Sequence, residues 1–556
     1  MSNGTRKWKS INELAEPYND AVNYKQRQQK ELFNRFFLRT DALDKCLGPT
    51  TYYLMGEKGT GKTAYAVYLE NNSIEDSRCQ VTTMTETQYK RFIRLKDNGK
   101  LEYSDYANIW RSMLLFIVAR MLVIKSKGKI DLFTGKFRQL EEEIKKWSKN
   151  ALNPEVESAF EAVDGGKIGA AFTPKGIGSI NAERAVGTKE TNSPIRHHLL
   201  ETEVSLREAI GSLKLANKHI LFIDGIDYRP EGISYKEYIE CIKGLGEAVW
   251  QLNTEFFSTI RDSKGRIKVM LLVRPDVFHA LNLYNSNSRL HDNTIFLGWT
   301  TTEKDFSASP LYEVSGRYFS SQQDSTVTEQ QGWEHYYPSN PASDDSVFRQ
   351  ALRTTFQKPR DIFTLIKISR NAMLKAQRGS EDAFPSDITS NPNFTREFSD
   401  YLIGEVRNYA AFYMTQEDFS TYMKFFQYLN GKSRFKMSDF EEAHARFAAW
   451  AAGESIKAKL YLRDAESLLQ FLYDVNLIGY SEDIQGSGER YFHWSYRERS
   501  LNNIAPKVKS SGLLMLNPGA AKALDIGKKT VQMTASTPRV RAPKPKRPWR
   551  KKRKHI

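Results

Sequence analysis

The sequence predicts an α/β fold in which helices cover both faces of a parallel sheet. Three short apolar runs, residues 52–55, 220–223 and 267–273, have the composition of buried strands, and segments with helical spacing separate them. Strands that alternate with helices favour a parallel sheet, because each crossover returns the chain to the same edge. The ends of the three runs are therefore expected to lie together at the carboxyl edge, where α/β proteins place their functional groups.

The first run leads into a glycine-rich segment that has the pattern G-x-x-x-x-G-K-[ST], namely Gly56-Glu57-Lys58-Gly59-Thr60-Gly61-Lys62-Thr63. Consecutive backbone N–H groups of such a loop point at phosphates from the start of a helix. We expect Lys62 to neutralise the β- and γ-phosphates and the hydroxyl of Thr63 to bind Mg²⁺. The segment is therefore predicted to bind ATP with Mg²⁺. The alternative interpretation is a glycine-rich turn with an exposed lysine.

Two acidic residues follow the second run. Asp224 directly ends it, where a carboxylate can hold Mg²⁺ opposite Thr63. The alternative for Asp224 is a side chain that only caps an Asp-Gly turn. Asp227 has two open interpretations, as the group that polarises the attacking water or as a cap of the next segment. No Glu directly follows Asp224, so we expect hydrolysis to be slow.

Two arginines are candidates to contact the γ-phosphate. Arg274 ends the third run, and Arg360 lies in Lys358-Pro359-Arg360-Asp361 at the start of an amphipathic segment. Each also has a structural interpretation as a salt-bridge residue. Arg274 is assigned a catalytic sensor role and Arg360 a nucleotide-binding role.

The pattern of elements and of composition divides the chain into five parts. They are an N-terminal helical segment (1–50), an ATPase core (51–300) with an insertion (104–217), a helical lid (301–394), a winged-helix-like domain (395–527) and a disordered basic tail (528–556). The insertion includes a glycine-rich stretch at 165–187. The winged-helix prediction depends on an amphipathic helix over 465–478, followed by two strand-like runs that Gly486-Ser487-Gly488 separates.

Charge and cysteine content limit the functional classes. Of the basic residues behind the net charge of +16, ten lie between Arg539 and Lys554, with no Asp or Glu among them. The tail therefore has two interpretations, as a nonspecific nucleic-acid contact or as a solubilising polycation.

The three cysteines are too far apart in sequence to suggest zinc, and no N-terminal signal is evident, so we expect a cytoplasmic protein. The apolar run at 113–124 is too short to span a bilayer and is predicted to be a buried helix, with no membrane partner.

Residues 53–63, 222–227 and 272–276 together resemble the AAA-related, STAND-like P-loop ATPases of bacteria and phages. Residues 293–299 and 359–361 are similar too. Within that group the chain most resembles the FunZ-type exclusion proteins of temperate phages, which are linked to blocking infection by a second phage. The resemblance covers residues 20–70 and 218–370, and more loosely the chain to 527. It implies an ATPase core, a helical lid, a winged-helix-like module and a sensor role for Arg274.

The functional hypothesis is an ATP-driven switch in phage exclusion or anti-phage defence that acts through a homo-oligomer or a separate effector protein. Two alternatives remain open. One is a DNA-handling ATPase related to replication initiators or loaders, and the other is a nucleotide-binding scaffold with little hydrolysis. The chain departs from the family in the 161 residues between Lys62 and Asp224 and in the basic tail. Both departures leave the trigger and the output open.

Overall fold

A parallel sheet of five strands lies at the centre of the protein. The computed structural model describes residues 8–84, 105–126, 135–149, 203–261, 263–339, 345–483, 490–524 and 526. The strands of this sheet are β1 (Tyr53–Met55), β2 (Ser77–Thr83), β3 (Lys218–Asp224), β4 (Ile267–Val273) and β5 (Thr294–Phe296). They lie in the order β2-β3-β4-β1-β5, and every pairing is parallel. The predicted α/β fold with a parallel sheet is therefore confirmed.

The described helices surround this sheet and continue beyond it. They are α1 (Arg27–Phe36), α2 (Asp41–Leu47), α3 (Lys62–Asn71), α4 (Asp105–Ser126), α5 (Arg138–Lys149), α6 (Tyr235–Gln251), α7 (Pro275–Leu281), α8 (Ser286–Asn293), α9 (Pro310–Ser320), α10 (Glu329–Tyr336), α11 (Val347–Thr354), α12 (Pro359–Lys375), α13 (Pro392–Ala410), α14 (Gln416–Met423), α15 (Met437–Ala451), α16 (Leu460–Arg463), α17 (Ala465–Asp474) and α18 (Ser495–Glu498). Residues 203–211 are also helical. Short 3-10 turns include Ala21–Lys25, which precedes α1.

Both faces of the sheet are buried, which explains why its central strands are continuous apolar runs. Leu54, Phe222 and Leu272 belong to a core shared with α3, whereas the neighbouring residues Met55 and Ile223 belong to a second core shared with α4 and α6. Strand β2 is an edge strand with alternating burial and several polar residues, and the sequence did not indicate it.

Helix α4 is the described helix whose length and apolar composition would allow it to cross a membrane. In its span Tyr106–Lys125, 78% of the most apolar window is buried inside the protein. The predicted buried helix at 113–124 is therefore confirmed as a core helix of the second face. The argument that it is too short to span a bilayer does not hold for the whole helix, because α4 extends over Asp105–Ser126.

A separate antiparallel sheet lies in the C-terminal part. Its strands are β6 (Arg434–Phe435), β7 (Ile478–Asp483), β8 (Arg490–His493) and β9 (Leu513–Leu516), in the order β6-β9-β7-β8. The predicted helix over 465–478 is too long, since α17 ends at Asp474. Asn476 adopts a positive φ of 64° and turns the chain into β7. Helices α14 to α18 together with this sheet are called the C-terminal module below.

Some sequence predictions concern residues outside the described ranges. These are the glycine-rich stretch at 165–187, the Gly486-Ser487-Gly488 segment and the basic tail at 528–556. The proposed domain boundaries remain predictions.

Candidate functional site

The glycine-rich segment joins β1 to α3 at the carboxyl edge of the sheet. Gly59 and Gly61 adopt φ values of +89° and +93°, in the left-handed region that glycine enters without strain. A Cβ atom at Gly56 would collide with Oγ1 of Thr60. Each of the three glycines therefore has a conformational or steric reason to occupy its position.

The carboxyl edge also has the topology expected of a binding crevice. The connection that leaves β1 leads to β2 at one edge of the sheet, whereas the connection that leaves its neighbour β4 leads to β5 on the other side. In open α/β sheets, ligands bind where such neighbouring connections diverge. The glycine-rich segment starts at this point.

Lys62, the first residue of α3, is buried and folds back over the loop. Its Nζ donates hydrogen bonds to the carbonyl oxygens of Gly56, at 2.8 Å, and Glu57, at 3.1 Å. Burial lowers the pKa of Lys62 to about 8, although Asp227 and Asp224 favour its charged form. In the part of the chain that the structure describes, the hydrogen-bond partners of this ammonium group are carbonyl oxygens, so it can move to a phosphate without breaking an ion pair.

Thr63 and Asp224 are brought together from the ends of two different strands. Oγ1 of Thr63 donates to Oδ2 of Asp224 at 2.6 Å, and Oδ1 of Asp224 accepts from the backbone N–H of Gly225 at 2.8 Å. Burial raises the pKa of Asp224 above its ordinary value. A hydroxyl and a carboxylate in this arrangement are oxygen ligands of the kind that Mg²⁺ prefers.

A cavity of about 420 Å³ opens above these residues. The predicted site residues that line it are Lys58, Gly59, Gly61, Lys62, Thr63, Asp224, Asp227 and Arg360. The sequence did not indicate the rest of the wall, which includes residues 18–22, Pro359 and Phe363 of α12, and Glu405 and Asn408 of α13. Phe33 and Phe36 of α1, within the predicted N-terminal helical segment, also contribute to it.

Asp227 lies in this cavity and is kept ionised. Burial by itself would raise the pKa of Asp227, but Arg274, Lys62 and Lys58 together hold it below its ordinary value. A buried carboxylate in this state can accept a hydrogen bond or a proton from water.

Arg360 reaches the cavity from the first turn of α12. Its guanidinium pairs with Glu405 at 3.0 Å, and its backbone lies next to Gly59, with the Arg360 N–H 3.4 Å from the Gly59 carbonyl oxygen. The start of α12 is therefore in direct contact with the glycine-rich loop.

Arg274 lies in a buried ion pair with Asp276 and not at the surface of the cavity. Its side chain is fully buried, Nε donates to Asp276 at 3.0 Å, and the guanidinium lies 3.7 Å from the ring centre of Tyr409. The cavity lining among the described residues does not include Arg274. Its charge still acts on Asp227 through space, and its role as a γ-phosphate sensor stays a prediction.

Glu57 and Thr60 contribute to the loop through contacts behind the cavity. Oγ1 of Thr60 donates to the Glu57 carbonyl oxygen at 2.8 Å, and Nε1 of Trp299 donates to the Thr60 carbonyl oxygen at 2.8 Å. The carboxylate of Glu57 is almost fully buried and pairs with Lys358 and Arg499. No signal in the sequence indicated that these two distant cations meet Glu57.

No protein-family model and no curated protein matches the chain.

Proposed function

We propose that the protein is a P-loop ATPase that binds ATP with Mg²⁺ in the cavity above residues 56–63 and hydrolyses it slowly. The observation that carries the proposal is the 2.6 Å hydrogen bond between Thr63 and Asp224 beside Lys62 in a single cavity. The groups that can bind phosphate and Mg²⁺, including the carboxylate at the end of β3, therefore lie together at the carboxyl edge. This is the edge at which an α/β sheet binds its ligand.

The chain's own groups divide the work of binding. The loop N–H groups and the first turn of α3 bind the phosphate oxygens, and Lys62 moves from the loop carbonyls to the β- and γ-phosphates. The Thr63 hydroxyl and the Asp224 carboxylate would hold Mg²⁺. When bound, this ion neutralises charge on the β- and γ-phosphate oxygens.

The apolar part of the cavity is suited to the nucleoside. Val22, Pro359 and Phe363 offer a surface on which a base can pack, and the volume of about 420 Å³ is typical of a small-molecule site. One ligand would contact both residues 18–22 and α12, which belongs to the predicted helical lid (301–394). Nucleotide binding would therefore act on the position of this lid.

Hydrolysis is assigned to Asp227. This carboxylate is ionised and lies in the same cavity as Lys62, so it is the best-placed described group to accept a proton from the attacking water. Gly225 follows Asp224, where many fast ATPases have a glutamate, which supports a slow reaction and a switch rather than a motor.

The biological role that we propose is phage exclusion or anti-phage defence, with a homo-oligomer or an effector protein as the partner. The resemblance described above supports this role. ATP can bias two conformations only through contacts that differ between them. We assign this part to the contact of α12 with Gly59, because it joins the glycine-rich loop to the predicted helical lid.

Nucleotide binding and phosphate release by the wild type and Lys62→Ala test the biochemical proposal. We expect the wild type to bind a fluorescent ATP analogue with Mg²⁺ and to release phosphate, and Lys62→Ala to lose both. Lys432→Ala is the control, because it removes an exposed lysine whose ion pair with Asp439 lies in the C-terminal module. A wild type that neither binds nor hydrolyses ATP would refute the proposal, and binding without phosphate release would favour the scaffold alternative.

A further inference from the structure

The carboxylate of Glu57 faces away from the cavity, into a buried group of charges. Its residue is 4% exposed, and Nζ of Lys358 lies 3.4 Å from one carboxylate oxygen. The guanidinium of Arg499 donates to the other oxygen. The backbone carbonyl of the same residue accepts from Lys62. Glu57 therefore joins the lysine of the proposed nucleotide site to two cations behind the loop.

Arg499 comes from the C-terminal module, 442 residues further along the chain. It directly follows α18, and its side chain is 1% exposed. Its second guanidinium nitrogen lies 3.5 Å from Oδ1 of Asp474 at the end of α17, and the guanidinium lies 5.7 Å from the ring centre of Tyr409. The module therefore reaches the glycine-rich loop through this arginine.

A buried carboxylate is unstable unless cations or hydrogen bonds compensate it. Burial would raise the pKa of Glu57, and Arg499 and Lys358 hold it below its ordinary value. Without Arg499, the remaining cation in contact with Glu57 among the described residues is Lys358, at the longer distance. The charge of Glu57 also acts on Lys62. A released carboxylate would then compete with phosphates for Lys62 and would repel them.

We propose that Arg499 is a positioning residue for the glycine-rich loop. By holding the Glu57 carboxylate behind the loop, it keeps Lys62 available to phosphate, so nucleotide affinity depends on the docked C-terminal module. This inference rests on the proposed nucleotide site. Because coupling is reciprocal, bound nucleotide stabilises the docked module by the same factor by which docking strengthens nucleotide binding.

A double-mutant cycle with Arg499→Met and Glu57→Gln tests the inference. The quantities to measure are the Kd of a fluorescent ATP analogue with Mg²⁺, KM and kcat for ATP, and the thermal midpoint. We expect Arg499→Met to raise Kd and KM about tenfold, as misplacement of a binding group does, with kcat changing less. Adding Glu57→Gln should restore most of the affinity, because the amide carries no charge to repel phosphate.

The matched control is Arg289→Met. Arg289 is as buried as Arg499, pairs with Glu247 at 3.0 Å and lies over Trp250, but at the other end of the sheet, beside the start of β5. We expect this variant to lower the thermal midpoint without changing Kd. Arg499→Lys serves as a second variant if Arg499→Met does not fold, and it should show a smaller rise in Kd.

The outcomes separate the two proposals. A wild type without nucleotide binding rejects the proposed site itself. A wild type that binds, combined with an unchanged Kd in the folded Arg499 variants, overturns the positioning role. A loss of affinity that Glu57→Gln does not relieve also overturns it, because the effect then does not pass through the Glu57 carboxylate.

Discussion

The hydroxyl of Thr63 donates to the carboxylate of Asp224 at 2.6 Å, although 161 residues separate them in sequence. Thr63 follows β1 and Asp224 is the last residue of β3, and these two strands are not adjacent, because β4 lies between them. Since parallel strands end at one edge, the topology brings both oxygens to the start of α3. This pair is the centre of the proposed metal site.

The first prediction concerns Asp224→Asn. The amide keeps the shape of the side chain but lacks the charge that would hold Mg²⁺, so we expect phosphate release to fall by about two orders of magnitude while some ATP is retained. Phosphate release and retention of labelled ATP are the measurements. The control is Asp439→Asn, which changes a partly exposed carboxylate that pairs with Lys432. Wild-type turnover in Asp224→Asn would remove Asp224 from the metal site.

The second prediction is a pH dependence of nucleotide binding. With a pKa of about 8, Lys62 is mostly charged at pH 7 and mostly neutral at pH 9. Phosphate binding requires the ammonium, so the Kd for Mg²⁺-ATP should rise above pH 8 by up to about tenfold per pH unit. Titration of Kd from pH 7 to 9.5 measures this rise. In Lys62→Arg, whose guanidinium stays protonated, any remaining binding should lose this dependence. A flat wild-type profile contradicts the assignment.

The lowered pKa of Lys62 also makes the stability of the fold depend on pH. The unfolded chain, in which lysine has its ordinary pKa of 10.5, binds more protons than the folded chain between pH 8 and 10.5. This residue's contribution to the free energy of unfolding therefore increases as the pH rises through that window.

The third prediction separates a structural role of Arg274 from a sensor role. Arg274→Met leaves Asp276 buried without its main cation, which is expected to lower the free energy of unfolding by about 3–5 kcal/mol. Arg274→Met with Asp276→Asn should recover part of this loss, as measured by chemical denaturation. If the single variant keeps wild-type stability but loses ATP hydrolysis, the sensor interpretation is favoured instead.

The sequence predicted those parts of the fold that carry a local signal. Strands β3 and β4 are continuous apolar runs because both of their faces are buried, and the glycine-rich loop has a pattern of its own. Strand β2 lies at the edge of the sheet, and polar residues interrupt its apolar ones. It therefore lacks the continuous apolar run that indicated β3 and β4. The pairing of Arg499 with Glu57 has no local signal, because it depends on how the C-terminal module packs. The walls of the cavity were missed for the same reason.

The fourth prediction concerns the basic tail. Truncation after residue 527 removes ten cations between Arg539 and Lys554. If these cations contact phosphates, the truncated protein should bind nucleic acid more weakly, and the salt dependence of binding should become less steep. ATP hydrolysis should remain, because the proposed site lies in the parallel-sheet core. Binding to single- and double-stranded DNA at several salt concentrations measures the effect. The same affinity and salt slope with and without the tail would favour the solubilising interpretation.

The last prediction connects Arg360 with the biological role. Arg360 lines the cavity and pairs with Glu405 of α13, while its backbone lies against Gly59. Arg360→Ala removes the cation that we propose connects these helices to the nucleotide, but it leaves Lys62 in place. We therefore expect some ATP binding to remain, and the nucleotide-dependent movement of α12 and α13 to be weakened.

Plaque formation across a broad phage panel measures the consequence in cells. At matched expression, the wild type should reduce productive infection by some phages, whereas Lys62→Ala and Asp224→Ala should not protect and Arg360→Ala should protect less. Arg353→Ala is the control, because it removes an exposed arginine of α11 that pairs with Glu303 away from the cavity. Equal plaque counts with and without the wild type would argue against the exclusion role. If Lys62→Ala still protects, the exclusion role stands but ATP is not its switch. The variant would then have lost the principal cation that binds the phosphates without losing protection.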